Sequence, residues 1–246
     1  MYEPKGNGRD RSVDTVQFSE ALPPEHLRGV VHRFVELRTQ TPLPEDYRFH
    51  ALPDACTYLV LDQQNPDIAG VTKLRVSSEE LNLGWSFHFV NIRFLPGVWQ
   101  AGFEPVSYGI VKEVYRGALP LADLNRSLIG RDFADQQVAL STFVDRLLDR
   151  KTVIPNPVTE KIFGKIEDIH SVADMAAAAA LSPRQLQRVL KQSTGFSPHD
   201  FLKVLRLQQS LAGEPSLSYA DQSHFIHSFR KATGYTPGKY ARKFDV

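Results

Sequence analysis

Apolar positions follow two regimes along the chain. From Phe49 to about Val114 they come in short runs. Thr57 to Leu61 follows the Pro53-Asp54 turn signal and predicts a short strand. Trp85 to Phe94 predicts a longer one, closed by Leu95-Pro96-Gly97. Its faces are Trp85, Phe87, Phe89, Asn91, Arg93 and Ser86, His88, Val90, Ile92, Phe94. Both are partly apolar, which suits a sandwich or barrel strand and leaves open which face points inward. Asn91 and Arg93 fit a core edge or the lining of an effector pocket. From about Asp135 the period changes. Leu140, Phe143, Val144, Leu147 and Leu148 form one stripe and predict a helix to about Arg150. That stripe suits packing on its own barrel or pairing with a second copy. Val153 to Pro157 has two prolines in three residues, so a helix cannot continue there. It is the candidate linker between a β-rich domain, 1–152, and a helical domain, 153–246.

The helical part contains an internal repeat at an offset of 39. Leu186 to Pro198 lies over Phe225 to Pro237, with Thr194/Thr233, Gly195/Gly234 and Pro198/Pro237 identical. Phe196/Tyr235, Leu190/Phe229 and Lys191/Arg230 are alike. Two copies are too few for a stacked solenoid. Each copy reads helix, stop, helix. Ser182 is an N-cap with Pro183 at N1 and Gln185 at N3, a capping box. Gly195 supplies the left-handed stop, and Ser197-Pro198 opens the next helix. In the second copy Asp221, Gly234 and Thr236-Pro237 take these places.

Ser171 caps a short alanine-rich helix ahead of the first copy. A short helix, a tight turn and a second polar helix make a helix-turn-helix. On that second helix Leu186, Val189 and Leu190 form the apolar edge. Arg184, Gln187, Arg188 and Lys191 stand at i, i+3, i+4 and i+7 on the outward stripe. Such residues suit a solvated face or a DNA duplex. Arg pairs with guanine, Gln with adenine, and Lys meets phosphate.

Charge sharpens this. Residues 1–158 carry 17 Lys+Arg against 20 Asp+Glu, and residues 159–246 carry 12 against 8. The basic end is the one with the repeat, a mild pointer to nucleic acid. Cys56 stands alone, so neither an intrachain disulfide nor a Cys-based zinc site is expected. It reads as a small core residue. The charged start, Met1 to Ser12, has no apolar segment like a signal peptide, and Met175 to Leu181 is too short to span a membrane. A cytoplasmic location and no membrane partner are expected. His50 and His88 are far apart, and no metal cluster, phosphate loop or nucleophilic triad is visible. No enzyme, cofactor or metal site is expected.

Ala180 to Arg188, Gly195 to Pro198, Arg206, Tyr219 to Phe225 and Gly234 to Pro237 together resemble the DNA-binding domain of AraC/XylS-type transcriptional regulators. The resemblance covers about residues 159–244. It implies two helix-turn-helix units joined by a long helix, each with a recognition helix in the major groove. By motif position the base-contacting places fall on Arg184, Gln187 and Arg188, then on Gln222, Ser223 and His227. Ser182, Lys191, Arg230 and Lys231 complete the expected DNA-facing set. More loosely, Pro53-Asp54 and Val90 to Gly97 resemble the β-barrel sensory domain of such regulators.

The fold class that follows is α+β. A small β-barrel or sandwich-like N-terminal domain with trailing helices precedes an all-α helix-turn-helix DNA-binding domain. Its second unit reads as truncated. Gly213 and Pro215 sit where the unit's first helix should be centred, at about 1 and 3 kcal/mol respectively. Its recognition helix would then lack the support on which Phe225 and Phe229 pack. Two functions stay open. One is a one-component, sequence-specific transcriptional regulator, modulated through the N-terminal domain. The other is a protein-interaction regulator with weakened autonomous DNA binding. The expected partners are double-stranded DNA, RNA polymerase, a small-molecule effector and a second copy of the chain. A third class is a ligand-binding barrel whose helices only dimerise; the outward basic stripe argues against it.

Overall fold

The computed structural model describes residues 2–212 and 222–246, apart from Asp14, Ala101, Phe103 and Tyr108 and the side chains of Gln222 and His224. Among the described residues, ten strands come first and last. They are β1 Asn7–Asp10, β2 Val16–Ala21, β3 Val31–Thr39, β4 Arg48–Ala51, β5 Thr57–Asp62, β6 Ala69–Thr72, β7 Glu79–Asn82, β8 His88–Phe94, β9 Val106–Ser107 and β10 Phe244–Asp245. Between β9 and β10 run helices α1 Leu121–Leu128, α2 Phe133–Asp149, α3 Pro157–Phe163, α4 Val172–Ala178, α5 Pro183–Thr194, α6 Pro198–Leu211, α7 Gln222–Thr233 and α8 Pro237–Lys243.

The strands form two sheets, ordered β2-β3-β8-β5-β6-β9 and β10-β1-β4-β7. Strand β8 settles which of its faces meets what. Val90, Ile92 and Phe94 join Leu59 and Leu61 in a core under α1 and α2. Phe89, Asn91 and Arg93 point the other way, into the space between the sheets. The expected strand start at Trp85 is a bend instead, in which the Leu43 N–H donates to the Trp85 carbonyl at 2.7 Å.

The stripe on α2 packs on its own sheet. Leu140, Phe143, Val144 and Leu147 are buried in that core, so this face is closed to a second copy. The proline-rich joint between α2 and α3 is held by hydrogen bonds. Val153 bridges Trp99, and the Ile154 N–H donates to the Val98 carbonyl at 2.9 Å. Asn156 caps α3 while its Nδ2 donates to the Gly97 carbonyl at 3.1 Å. The prolines stop the helix as expected, and hydrogen bonds tie the joint to the segment that follows β8.

The C-terminal part is not purely α. It ends in β10, which pairs antiparallel with β1 through Arg9↔Asp245 and Asp10↔Phe244. The chain's last strand thus completes a sheet built from its first. No helix among the described residues is long and apolar enough to cross a membrane.

Candidate nucleic-acid interface

Helices α4 and α5 form a helix-turn-helix. The Ser171 side chain accepts from the Asp174 N–H and starts α4. The Leu181 N–H donates to the Ala176 carbonyl at 2.9 Å, closing the helix with Ala180 left-handed at φ 56°. The capping box of Ser182 and Gln185 then opens α5, each side chain accepting from the other's backbone N–H. Ala176 and Ala179 are buried, and their small side chains let α4 and α5 cross closely. Leu186 and Leu190 are fully buried beneath.

This packing fixes the outward stripe. Ser182, Arg184, Gln187, Arg188 and Lys191 are all exposed. Among the described residues no ion pair engages Arg184 or Arg188. Lys191 differs, because its Nζ donates to the Gly195 carbonyl at 2.9 Å and caps the helix end. The same stop is built twice. Thr194 Oγ1 donates to the Leu190 carbonyl at 2.6 Å and accepts from the Phe196 N–H at 3.1 Å. Thr233 Oγ1 does so with Phe229 and Tyr235, at 2.8 and 3.2 Å. Gly195 and Gly234 follow at φ 73° and 79°, conformations that favour glycine. The repeated Thr-Gly-aromatic triplet is this hydrogen-bonded stop.

On α7, Ser223, His227, Arg230 and Lys231 are exposed. Gln222 is placed by its backbone alone. The expected Asp221 cap and the shortened segment 213–220 lie outside the described residues. Helix α7 nonetheless has support. Phe229 is buried with Leu52, Leu207, Tyr240 and Phe244, and half-buried Phe225 packs beside them. The missing partner expected for these aromatics is supplied by the linking helix α6, by α8 and by the N-terminal sheet.

One set of residues escaped sequence reasoning. His199 and Lys203 of α6, with Arg206, border a cleft that His227 and Lys231 border from α7. Lys203 Nζ also pairs with Asp200 at 2.9 Å, and the Ser197 hydroxyl, then that ion pair, hold the Asp200 carboxyl below its usual range. The signal was present: His199, Lys203 and Arg206 stand at i, i+4 and i+7. Among the described residues no three His, Cys, Asp or Glu side chains gather as a metal group would require.

A two-sheet β domain precedes two helical units with the same stop, and in motif and order the chain resembles AraC/XylS-type transcriptional regulators. It is similar to the HTH-type transcriptional regulator MtrA of Neisseria gonorrhoeae, at 29% identity over 120 residues. That match covers 44% of this chain and 39% of MtrA, so it spans about two-fifths of the relative's length. No protein-family model matches the chain. Among solved structures it is similar to ToxT from Vibrio cholerae, at 11% identity and a TM-score of 0.43, over 95% of this chain and all of that one. An apo variant of ToxT gives 9% identity and a TM-score of 0.41, over 95% and 99%.

Proposed function

We propose that the chain is a one-component transcriptional regulator that binds duplex DNA sequence-specifically. Residues 153–246 read the DNA, and residues 1–152 modulate the reading. The observation that carries this is the face of α5. Arg184, Gln187 and Arg188 project from a helix fixed at both ends and along its buried edge. A rigid helix with unengaged Arg and Gln side chains is suited to the major groove. Helix α7 presents Ser223, His227, Arg230 and Lys231 as the second reader, and the basic cleft between α6 and α7 lies against the duplex backbone. RNA polymerase, an effector and a second copy are the further partners of this reading.

The test is binding of purified protein to fragments selected from genomic DNA, across a salt series. A selected sequence should be preferred at every salt concentration, and the R184A/Q187A/R188A protein should lose that preference. Equal preference in the two proteins would remove α5 from the reading. A second reading is favoured by the docking of α7 and β10 on the N-terminal sheet, a regulator acting mainly through protein contacts. It would show as weak, sequence-indifferent binding in both proteins.

A further inference from the structure

The cleft between α6 and α7 has a volume of about 570 Å³ and uses one pattern twice. Helix α6 supplies His199 and Lys203, and α7 supplies His227 and Lys231. Each pair is a histidine with a lysine four residues on, so each lies along one helix face. All four side chains are exposed. Arg206 stands one turn beyond Lys203, with Nη2 donating to the His170 carbonyl. Among the described residues no Asp or Glu borders the cleft.

The charges that face the two imidazoles are positive or already engaged. On α6 the one carboxylate beside His199 is Asp200, which Lys203 Nζ and the Ser197 hydroxyl hold. On α7 His227 has Arg230 and Lys231 for neighbours. The segment after β6 enters the cleft with uncharged Val76 and Ser77, and its Arg75 turns to Glu79 at 3.8 Å. At the end of α5, Lys191 Nζ is occupied by the Gly195 carbonyl. No ion pair engages His199, His227 or Lys231 among the described residues.

An imidazole ordinarily takes up its proton near pH 6.5. In the empty cleft that proton meets lysine and arginine, which oppose it. A phosphate between the helices reverses the sign, because each imidazolium then donates a charge-assisted hydrogen bond to an oxygen. Phosphate binding and proton binding therefore favour each other. The bordering side chains are exposed, so a small free anion there stays hydrated. A phosphate on a polymer is positioned by the rest of the complex.

We propose that this cleft grips a phosphate of the duplex backbone through His199 and His227, and that DNA binding thereby takes up protons. His227 is then a phosphate ligand and not a reader of bases, and affinity rises as pH falls. The inference rests on the proposed function for its partner, and it names how the second unit holds that partner.

The test is calorimetry of the full chain with its selected DNA at pH 7, in buffers of low and high ionisation enthalpy. The heats should differ in the sense of proton uptake. Affinity should be roughly ten-fold tighter at pH 6.5 than at pH 8, with a steeper salt slope at the lower pH. H199Q/H227Q should lose both the uptake and the pH dependence. H199R/H227R, permanently charged, should bind tightly at both pH values with no uptake. Preference among sequences should survive in both variants. Sequence-preferring binding by the wild type without proton uptake overturns the proposal and leaves the proposed function standing. Uptake that persists in H199Q/H227Q, or a choice of base pair relaxed by His227→Gln alone, also overturns it. Inorganic phosphate that binds saturably and takes up the same protons without displacing DNA makes the cleft a small-anion site and overturns the grip. Histidine-dependent uptake with no preference among sequences overturns the proposed function and leaves the grip standing. No binding to duplex at any pH overturns both.

Discussion

His50 Nε2 lies 3.2 Å from the carbonyl oxygen of Thr233, the last residue of α7. The other ring nitrogen faces the Tyr240 hydroxyl at 3.3 Å. A neutral imidazole meets both, with Nε2–H donating to the carbonyl and Nδ1 accepting from the phenol. The end of a proposed reading helix is thereby fastened to strand β4.

Burial holds the His50 pKa below its usual value of 6.5. Glu80 favours the charged ring, and Lys243 opposes it. The unfolded chain therefore binds a proton more readily than the folded one just below pH 6.5. Stability from this group is full above that pH and is lost as pH falls toward the lower folded value. Urea unfolding should show a fall in stability from pH 6.5 to 5, and His50→Phe should flatten it. The flattening is partial, because burial lowers the pKa of His32 as well, to about 3. At pH 8 His50→Phe should cost about 1–3 kcal/mol, since it strands the Thr233 carbonyl. An unchanged pH slope would show that His50 remains charged or leaves the interface.

Gly8 makes the strand pairing at the C-terminus feasible. A Cβ there would stand 2.3 Å from the Tyr240 hydroxyl oxygen and 3.0 Å from the Phe244 ring. Gly8→Ala should destabilise the protein by about 1–3 kcal/mol through overpacking. Tyr240→Phe removes the clashing oxygen, so the double variant should recover part of that loss in a double-mutant cycle. Strict additivity would mean that the two positions do not meet in solution.

Parts of the fold were legible where a local signal sufficed. The caps at Ser171, Ser182 and Ser197 and the stops at Gly195 and Gly234 depend on a few adjacent residues, and they lie where the sequence placed them. Strand β1, Asn7–Asp10, has no apolar alternation, and β10 is two residues long. Their pairing is specified by partners more than two hundred residues away. Strand β3 was hidden by its charges. Its Arg33 and His32 pair with Glu3, and its Glu36 pairs with His88. The α5 stripe was legible because a helix face follows from spacing alone. The union of His199 and Lys203 with His227 was not, since it depends on how α6 and α7 pack.

Ala180 occupies the left-handed position after α4, where a Cβ is unfavourable by about 1–2 kcal/mol. Ala180→Gly removes that cost but loosens the unfolded chain by about 0.4–1 kcal/mol. The net change should be a stabilisation of about 0.5–1 kcal/mol, seen as a higher urea midpoint with unchanged slope. A lower midpoint would place Ala180 outside the left-handed region in solution.

Arg188 and Lys191 are neighbours on one stripe but should respond differently to substitution. Arg188 has no ion pair among the described residues, so Arg188→Ala should leave the unfolding midpoint within about 0.5 kcal/mol of wild type. Its loss should appear at DNA, as about 1–3 kcal/mol at the preferred sequence and a relaxed choice at one base pair. Lys191 donates to the Gly195 carbonyl, so Lys191→Ala removes a cap and a favourable charge at the helix C-terminus. It should cost about 0.3–1 kcal/mol of stability. If Lys191 swings from that carbonyl to a phosphate, its removal should also weaken all sequences alike and reduce the salt slope by about 1. An unchanged slope with the stability loss intact would keep Lys191 as a cap alone. Base preference that survives Arg188→Ala would move the reading of that base pair to Arg184 or Gln187.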